Sequence, residues 1–375
     1  MLTLIFILFL TLFIISLAWV VYPVFVYPYL LRRLAMKRKR MDFFEAFPSP
    51  PPRVSFVIIA HNEEKAISEK LENTLSLDYP QDRFEVIVAS DGSTDATNEI
   101  VQKFAGRGVR LFAPEKRVGK TPITNMVARE CNGEILVFSD ATGEFSKNAV
   151  KSLVKSLYLP SVGCATGRVA YRYSGSSVDE GFRTYQNRLV PLRRVESDFH
   201  TEVSVSGSIH AVRKEHFSEI PSHLPADLHL PYTIARQGLR TVYVDDAVSV
   251  EETRKEAGRE YNGRVRAAIL AYSFVNFLKN HRGEIEDGRY LFQVFSHKVM
   301  RWFMPQALLA LLVSSLFLSV FIKFFWIVFL TQALFYLTAF LSHTLSGRFK
   351  LPPITGVPLF FTISNIAFLE GFFRG

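Results

Sequence analysis

The chain has 375 residues, is 49% hydrophobic and 14% aromatic, and carries a net charge of +9. That size and apolarity leave room for a soluble domain plus membrane segments. The basic excess comes with no aromatic-basic array or recognised nucleic-acid module, which argues against nucleic acid as a partner, and only two cysteines, Cys131 and Cys164, argue against a disulfide framework and for a reducing compartment.

Residues 1–31 contain no charged side chain. A helix needs roughly 20 apolar residues to cross a bilayer, so this run is expected to span. It lacks a basic leader and a small-residue cleavage site, and reads as a retained anchor. Residues 32–53 form a basic, proline-rich linker: Arg32, Arg33, Lys37, Arg38, Lys39 and Arg40 come first, then Pro48, Pro50, Pro51 and Pro52. Such a basic flank faces the cytoplasm and its anionic leaflet, which puts Met1 outside.

Residues 54–250 alternate strands and helices, the pattern of a mostly parallel sheet covered on both faces. Apolar runs at 54–60, 84–89, 109–112 and 134–139 read as strands. Helical spacing is expected over 63–75, 95–104 and 121–131. The polar chemistry gathers where the strands end. The first leads through Ala60 to His61-Asn62-Glu63-Glu64. The second ends in Ser90-Asp91-Gly92-Ser93-Thr94-Asp95. Val118-Gly119-Lys120-Thr121 opens the third helix, and the last strand ends in Asp140-Ala141-Thr142. In an open α/β sheet, ligands bind at this carboxyl edge. Each motif also has a plainer reading: Asp-Gly as a turn, Asp95 as a helix cap, Lys120 as an exposed loop lysine. The Gly-Lys-Thr run is not a phosphate-binding P-loop, because Pro114 stands where that motif needs glycine.

Residues 251–300 are charged and then amphipathic, and 266–278 suits a membrane surface. Residues 301–375 hold two or three further hydrophobic segments. The runs 302–322 and 324–342 are long enough to span. The run 351–369 carries Pro352, Pro353, Gly356 and Pro358 near its start, so it reads as short, tilted or re-entrant. Lys298 and Arg301 before these runs, and Arg348 and Lys350 between the last two, keep those flanks cytoplasmic.

Taken in order, the Asn-Glu-Glu loop, the Asp-Gly-Ser-x-Asp loop, the Gly-Lys pair and the Asp-x-Thr turn resemble the nucleotide-sugar domain of family 2 glycosyltransferases. The resemblance covers roughly residues 54–267. It implies a GT-A-type α/β domain with transmembrane helices at both ends, and inverting transfer from a nucleotide-diphosphate sugar, a UDP-sugar by expectation. It implies donor contacts from Ala60, Asn62, Glu63, Asp91, Lys120 and Asp140, with Asp91 receiving a hydrogen bond from the uracil ring. Asp140 and Thr142 match the family's Asp-x-Asp site for Mg²⁺ or Mn²⁺, with Thr142 standing for the second acid. Asp227, preceded by Ala226 where the family usually has Glu, matches the catalytic base, which a helix dipole would help keep ionised. Gly207 and Ser208 match the glycine loop on the acceptor side, where a structural turn explains them equally well. Arg264 and Arg266 are what remains of a Gln/Arg-x-x-Arg-Trp motif that counters the leaving diphosphate; its Trp is missing, which counts against processive synthesis. The implied partners are the donor, a lipid-linked, glycolipid or polysaccharide acceptor, membrane lipids, and subunits of such a pathway. The implied place is a multi-pass protein of a bacterial or archaeal cell membrane with a cytoplasmic domain. The departures at Thr142, Ala226 and the missing Trp leave a second reading, a catalytically silent subunit that keeps the fold to bind a nucleotide sugar or a synthase.

Overall fold

A computed structural model describes residues 1–37, 47–173, 177–253, 257–345 and 352–375. The basic positions Arg38, Lys39, Arg40, Arg348 and Lys350 lie outside the described residues.

Helix α1 (Leu2–Val21) runs through a π-turn at Tyr22–Val26 into α2 (Tyr27–Ala35), giving 34 continuous residues with a strongly apolar surface. The α/β domain then follows: β1 (Val54–Ala60), α3 (Ile67–Leu75), β2 (Phe84–Ser90), α4 (Thr97–Lys103), β3 (Val109–Phe112), α5 (Lys120–Glu130), β4 (Ile135–Asp140), β5 (Glu144–Phe145), α6 (Ala149–Leu157), β6 (Val162–Arg172), α7 (Ser177–Phe199), β7 (His210–Arg213), α8 (Ala226–Arg236) and β8 (Arg240–Glu252). The eight strands form one sheet in the order β3-β2-β1-β4-β7-β6-β8-β5. The half made of β3, β2, β1 and β4 is parallel, β6 and β8 are parallel, and β7 and β5 pair antiparallel with their neighbours.

The central strands are almost entirely buried, as the continuous apolar runs require. Phe56, Ile58, Val86, Val88 and Val137 face one core with α3 and α6. Val57, Ile87, Leu136 and Phe138 face the other with α5. Register aligns Ala60 with Ser90 and Ile59 with Asp140. Three strands therefore end side by side, and the polar residues that follow them meet at one edge.

Helix α9 (Ala257–His281) leads to α10 (Gly288–Val294), α11 (Met300–Trp302), α12 (Met304–Ser319), α13 (Phe324–Leu345) and α14 (Gly356–Arg374). Among the described residues, three helices are long and apolar enough to cross a membrane: Leu2–Ala35, Phe324–Leu345 and Gly356–Arg374. The run at 302–322 holds α12, whose second residue is Pro305, and the chain bends by 56° between Gly288–Trp302 and Met304–Ser319. The last run holds the 19-residue helix Gly356–Arg374, where a short or re-entrant segment was expected, because Pro358 falls in its first turn, where the missing N–H has no intrahelical partner to lose. The amphipathic stretch at 266–278 also turns inward, with Ala268, Ala271, Tyr272, Phe274 and Leu278 packed on Tyr232 of α8 and on Trp302.

The apolar N-terminal helix and the segment before α11 are tied to the α/β domain through buried polar contacts. The Tyr27 hydroxyl donates to Glu196 Oε1 at 2.6 Å, and His297 Nδ1 lies 2.8 Å from Glu196 Oε2. A carboxylate buried this deeply must be hydrogen-bonded to be tolerated.

Candidate active site

Asn62 is, among the described residues, the one non-glycine with a left-handed backbone, φ 56°, a conformation Asn tolerates. This twist turns its N–H toward Ser93 Oγ (3.1 Å) and its Oδ1 toward the Thr94 N–H (2.8 Å). The next N–H groups, of Glu63 and Glu64, donate to Thr97 Oγ1 (2.8 Å) and Asp95 Oδ2 (3.1 Å). The two sequence motifs thus clasp one another. Asp95 Oδ1 also accepts from the N–H of Thr97, the first residue of α4, at 3.0 Å. Ala60 is buried in the core, and its carbonyl accepts from the Asp91 N–H at 2.8 Å.

Asp91 is buried, and its carboxylate is already engaged. Oδ1 accepts from the Val118 N–H (2.7 Å), and Oδ2 from the Gly119 N–H (3.0 Å). Arg117 Nε lies 3.7 Å away. Gly92 makes this possible: its φ is +62°, and a Cβ there would stand 2.6 Å from the Arg117 backbone nitrogen. In this structure Asp91 holds the loop that delivers Lys120.

Lys120 begins α5, and its Nζ donates to Asp140 Oδ1 at 2.6 Å. Ser208 Oγ donates to Asp140 Oδ2 at 3.4 Å. Gly207 leaves the room for this: a Cβ on it would lie 3.2 Å from Lys120 Nζ and 3.6 Å from Asp140 Oδ2. Burial raises the Asp140 carboxyl, but Lys120, His210 and Ser208 together hold it below the usual value. Glu63 goes the other way: burial first, then the charges of Asp140 and Asp95, raise it. Thr142 is exposed on the turn after β4.

Asp227 is the second residue of α8, and its carbonyl accepts from the Val205 N–H at 2.9 Å, which ties the helix to the 205–208 loop. Its side chain reaches water, yet desolvation by the surrounding protein raises its carboxyl above the usual value, against the pull of Lys298 and Lys120. The helix dipole expected to keep it ionised is therefore outweighed. Of the two arginines, Arg264 lines a cavity of about 320 Å³ with Glu251, Asp179 and Tyr171, its guanidinium over the Phe360 ring at 4.4 Å. Arg266 is exposed and lies on another side of α9, since two helical residues are about 200° of turn.

Residues 55–220 match the sequence model described as glycosyl transferase family 2. That stretch of the α/β domain is similar in sequence to the family. The chain is 38% identical over 111 residues to a probable glycosyltransferase, YdaM, of Bacillus subtilis, and the match covers 28% of this chain and 26% of that one. It is 30% identical over 130 residues to a beta-monoglucosyldiacylglycerol synthase of Synechocystis, over 34% of this chain and 27% of that one. The matched part of the chain thus spans about a quarter of these relatives' length. A solved mannosyltransferase from Pyrobaculum calidifontis, in complex with GDP-Man and Mn²⁺, superposes with a TM-score of 0.72 at 23% identity, over 97% of this chain and 98% of that one. The shared feature is the fold: a GT-A domain with apolar helices at both ends.

Three further side chains surround this candidate site without having been singled out by motif. His210 on β7 faces Ser206 O at 2.7 Å and stacks on Phe138; burial pushes it down to about 4, so it is neutral. Lys70 of α3 is buried, donates to Gly143 O, and lies 4.3 Å from the Phe145 ring centre. Burial pushes it down to about 7, against Asp140, Glu251 and Glu144. Glu251, near the end of β8, has a buried Oε1 with no hydrogen-bond partner. Only Lys70 left a trace in the sequence, a lysine among Ile67, Leu71 and Thr74 on the buried face of a helix.

Proposed function

We propose that the protein is a membrane-bound inverting glycosyltransferase. It moves a sugar from a nucleoside-diphosphate donor, a UDP-sugar by expectation, to a hydroxyl of a lipid-linked, glycolipid or polysaccharide acceptor. The carrying observation is the meeting at one sheet edge of the Asp91-held loop and the Lys120–Asp140 pair, with Asp227 near enough for its charge to act on Lys120.

In this reading the 91–95 and 117–120 loops receive the nucleotide, and Lys120 meets the diphosphate charge. Asp227 accepts the proton of the acceptor hydroxyl as that oxygen attacks the anomeric carbon. Burial raises the Asp227 carboxyl above the ordinary Asp value, which makes it the stronger base. Among the described residues no group of three or more His, Cys, Asp or Glu side chains is placed to hold a metal. Mg²⁺ and Mn²⁺ nevertheless need few protein ligands when phosphate oxygens and water complete the shell. Asp140, with the unpaired Glu251 oxygen close by, fits such a cation. When bound, it would neutralise charge on the leaving diphosphate. The basic flanks Arg32, Arg33 and Arg301 support a cytoplasmic catalytic domain.

The exposed Thr142 and the alanine at 226 favour the second reading, a silent subunit that binds a nucleotide sugar without transferring it. One assay separates the two. Purified protein is given a panel of nucleotide sugars with membrane lipid extract, and diphosphate release is measured. Cation-dependent release with a preferred donor is expected. Tight nucleotide binding with no release from any donor would leave the silent subunit standing.

A further inference from the structure

Thr142 leaves the Asp-x-Asp turn one carboxylate short, and the fold brings another to the same place. Strand β5 pairs antiparallel with β8, Glu144 opposite Val250 and Phe145 opposite Ser249. This carries Glu251 up to Gly143, one residue past Thr142. The approach is close because Gly143 has no side chain: a Cβ there would stand 2.5 Å from Ser249 Oγ and 3.6 Å from Glu251 Oε1. Ser208, whose Oγ donates to Asp140 Oδ2, also lies beside Gly143: a Cβ on that glycine would stand 3.8 Å from the Ser208 backbone oxygen.

We propose that Glu251 is the second carboxylate ligand of the divalent cation, supplying from β8 the charge that Thr142 cannot supply from the turn. The inference rests on the proposed function, since the cation is the one that would hold the donor diphosphate. Three observations carry it. Glu251 Oε1 is buried and has no hydrogen-bond partner, and a buried acceptor left without a donor is costly. Glu251 meets the turn that follows Asp140, beside Gly143, where a hard cation held by Asp140 would find a second oxygen ligand. The neighbouring acid, Glu144, is by contrast already paired with Arg172 at 2.6 Å and is left out. Glu251 also lines the cavity that holds Arg264, so a diphosphate there would meet a cation on one side and a guanidinium on the other.

The test is Mn²⁺ binding to the full-length protein in detergent, with UDP or GDP present, followed by the loss of the free-ion paramagnetic resonance signal. E251Q should weaken Mn²⁺ binding at least about tenfold, as the loss of groups around a metal does. E144Q should not change it, and T142D in the E251Q background should restore it. Thermal melting checks that each variant is folded. Wild-type Mn²⁺ affinity in E251Q, beside a loss in D140N, would overturn the inference and leave the proposed function intact. Equal weakening in E144Q would also overturn it, by reducing Glu251 to one charge among several. Unchanged Mn²⁺ binding in D140N would strike the donor-site reading itself.

Discussion

Asp91 offers a sharp test, because the base-recognition role that the family resemblance implies and the loop-holding role seen here predict different losses. Its carboxylate accepts from the Val118 and Gly119 N–H groups, and Lys120 follows directly. Asp91→Asn keeps one acceptor oxygen and turns an NH₂ group toward the other N–H. Hydrogen bonds to a charged acceptor are worth about 1.5–3 kcal/mol, and neutral ones about half that. One bond is lost and one weakened; because the loop is partly exposed, water recovers a share. A net loss of about 1–2 kcal/mol in loop placement remains, a factor of about 5–30. Nucleoside diphosphate affinity, measured by titration calorimetry, should fall by that factor. The fall should be the same for diphosphates differing only in the base, since what moves is Lys120. An unchanged affinity would refute the loop-holding argument. A loss confined to the uridine nucleotide would return Asp91 to direct base recognition.

Asp227→Asn should lower transfer by about 10²–10⁴ with donor affinity nearly unchanged, since Asn removes the proton acceptor yet caps a helix almost as well; near-normal transfer would reject the base assignment. Because the Asp227 carboxyl is raised, the acid limb of the wild-type rate profile should lie above the ordinary Asp range; a limb at the ordinary value would count against it. Lys70 titrates near 7 in the fold against 10.5 ordinarily, so between those values the unfolded chain binds the proton that the folded chain lacks, and stability rises with pH by at most about 1.4 kcal/mol per unit. Lys70→Met should flatten that rise in thermal melts, and parallel curves would show that the lysine is charged in its pocket. A reporter fused after Lys350 should read cytoplasmic; an external signal would mean that one of the preceding hydrophobic runs does not span.

How far the sequence could be read depended on whether a feature was local. Strands β1, β2 and β4 were legible because parallel strands buried on both faces must be apolar throughout, and their polar ends mark the ligand edge. Helix starts were less so. Spacing suggested helices from 63 and 95, whereas α3 begins at Ile67 and α4 at Thr97. The N–H groups of Glu63 and Glu64 are spent on the facing loop, and Asp95 lies before α4, its side chain accepting from the Thr97 N–H. Lys120, Asp140, Gly207 and Ser208 were named from motifs, and the fold brings them together.

What the sequence alone determined was therefore the architecture: apolar runs long enough for a bilayer, an alternating α/β domain between them, and the polar edge where its strands end. Only the tertiary structure decided what each edge residue touches. Asp91 is held by a loop 27 residues on, and Glu251 meets the turn at Gly143 through a pairing more than a hundred residues apart. Periodicity records that a side chain is buried or exposed; which other strand lies beside it is settled by long-range pairing and packing, and no local pattern encodes that choice.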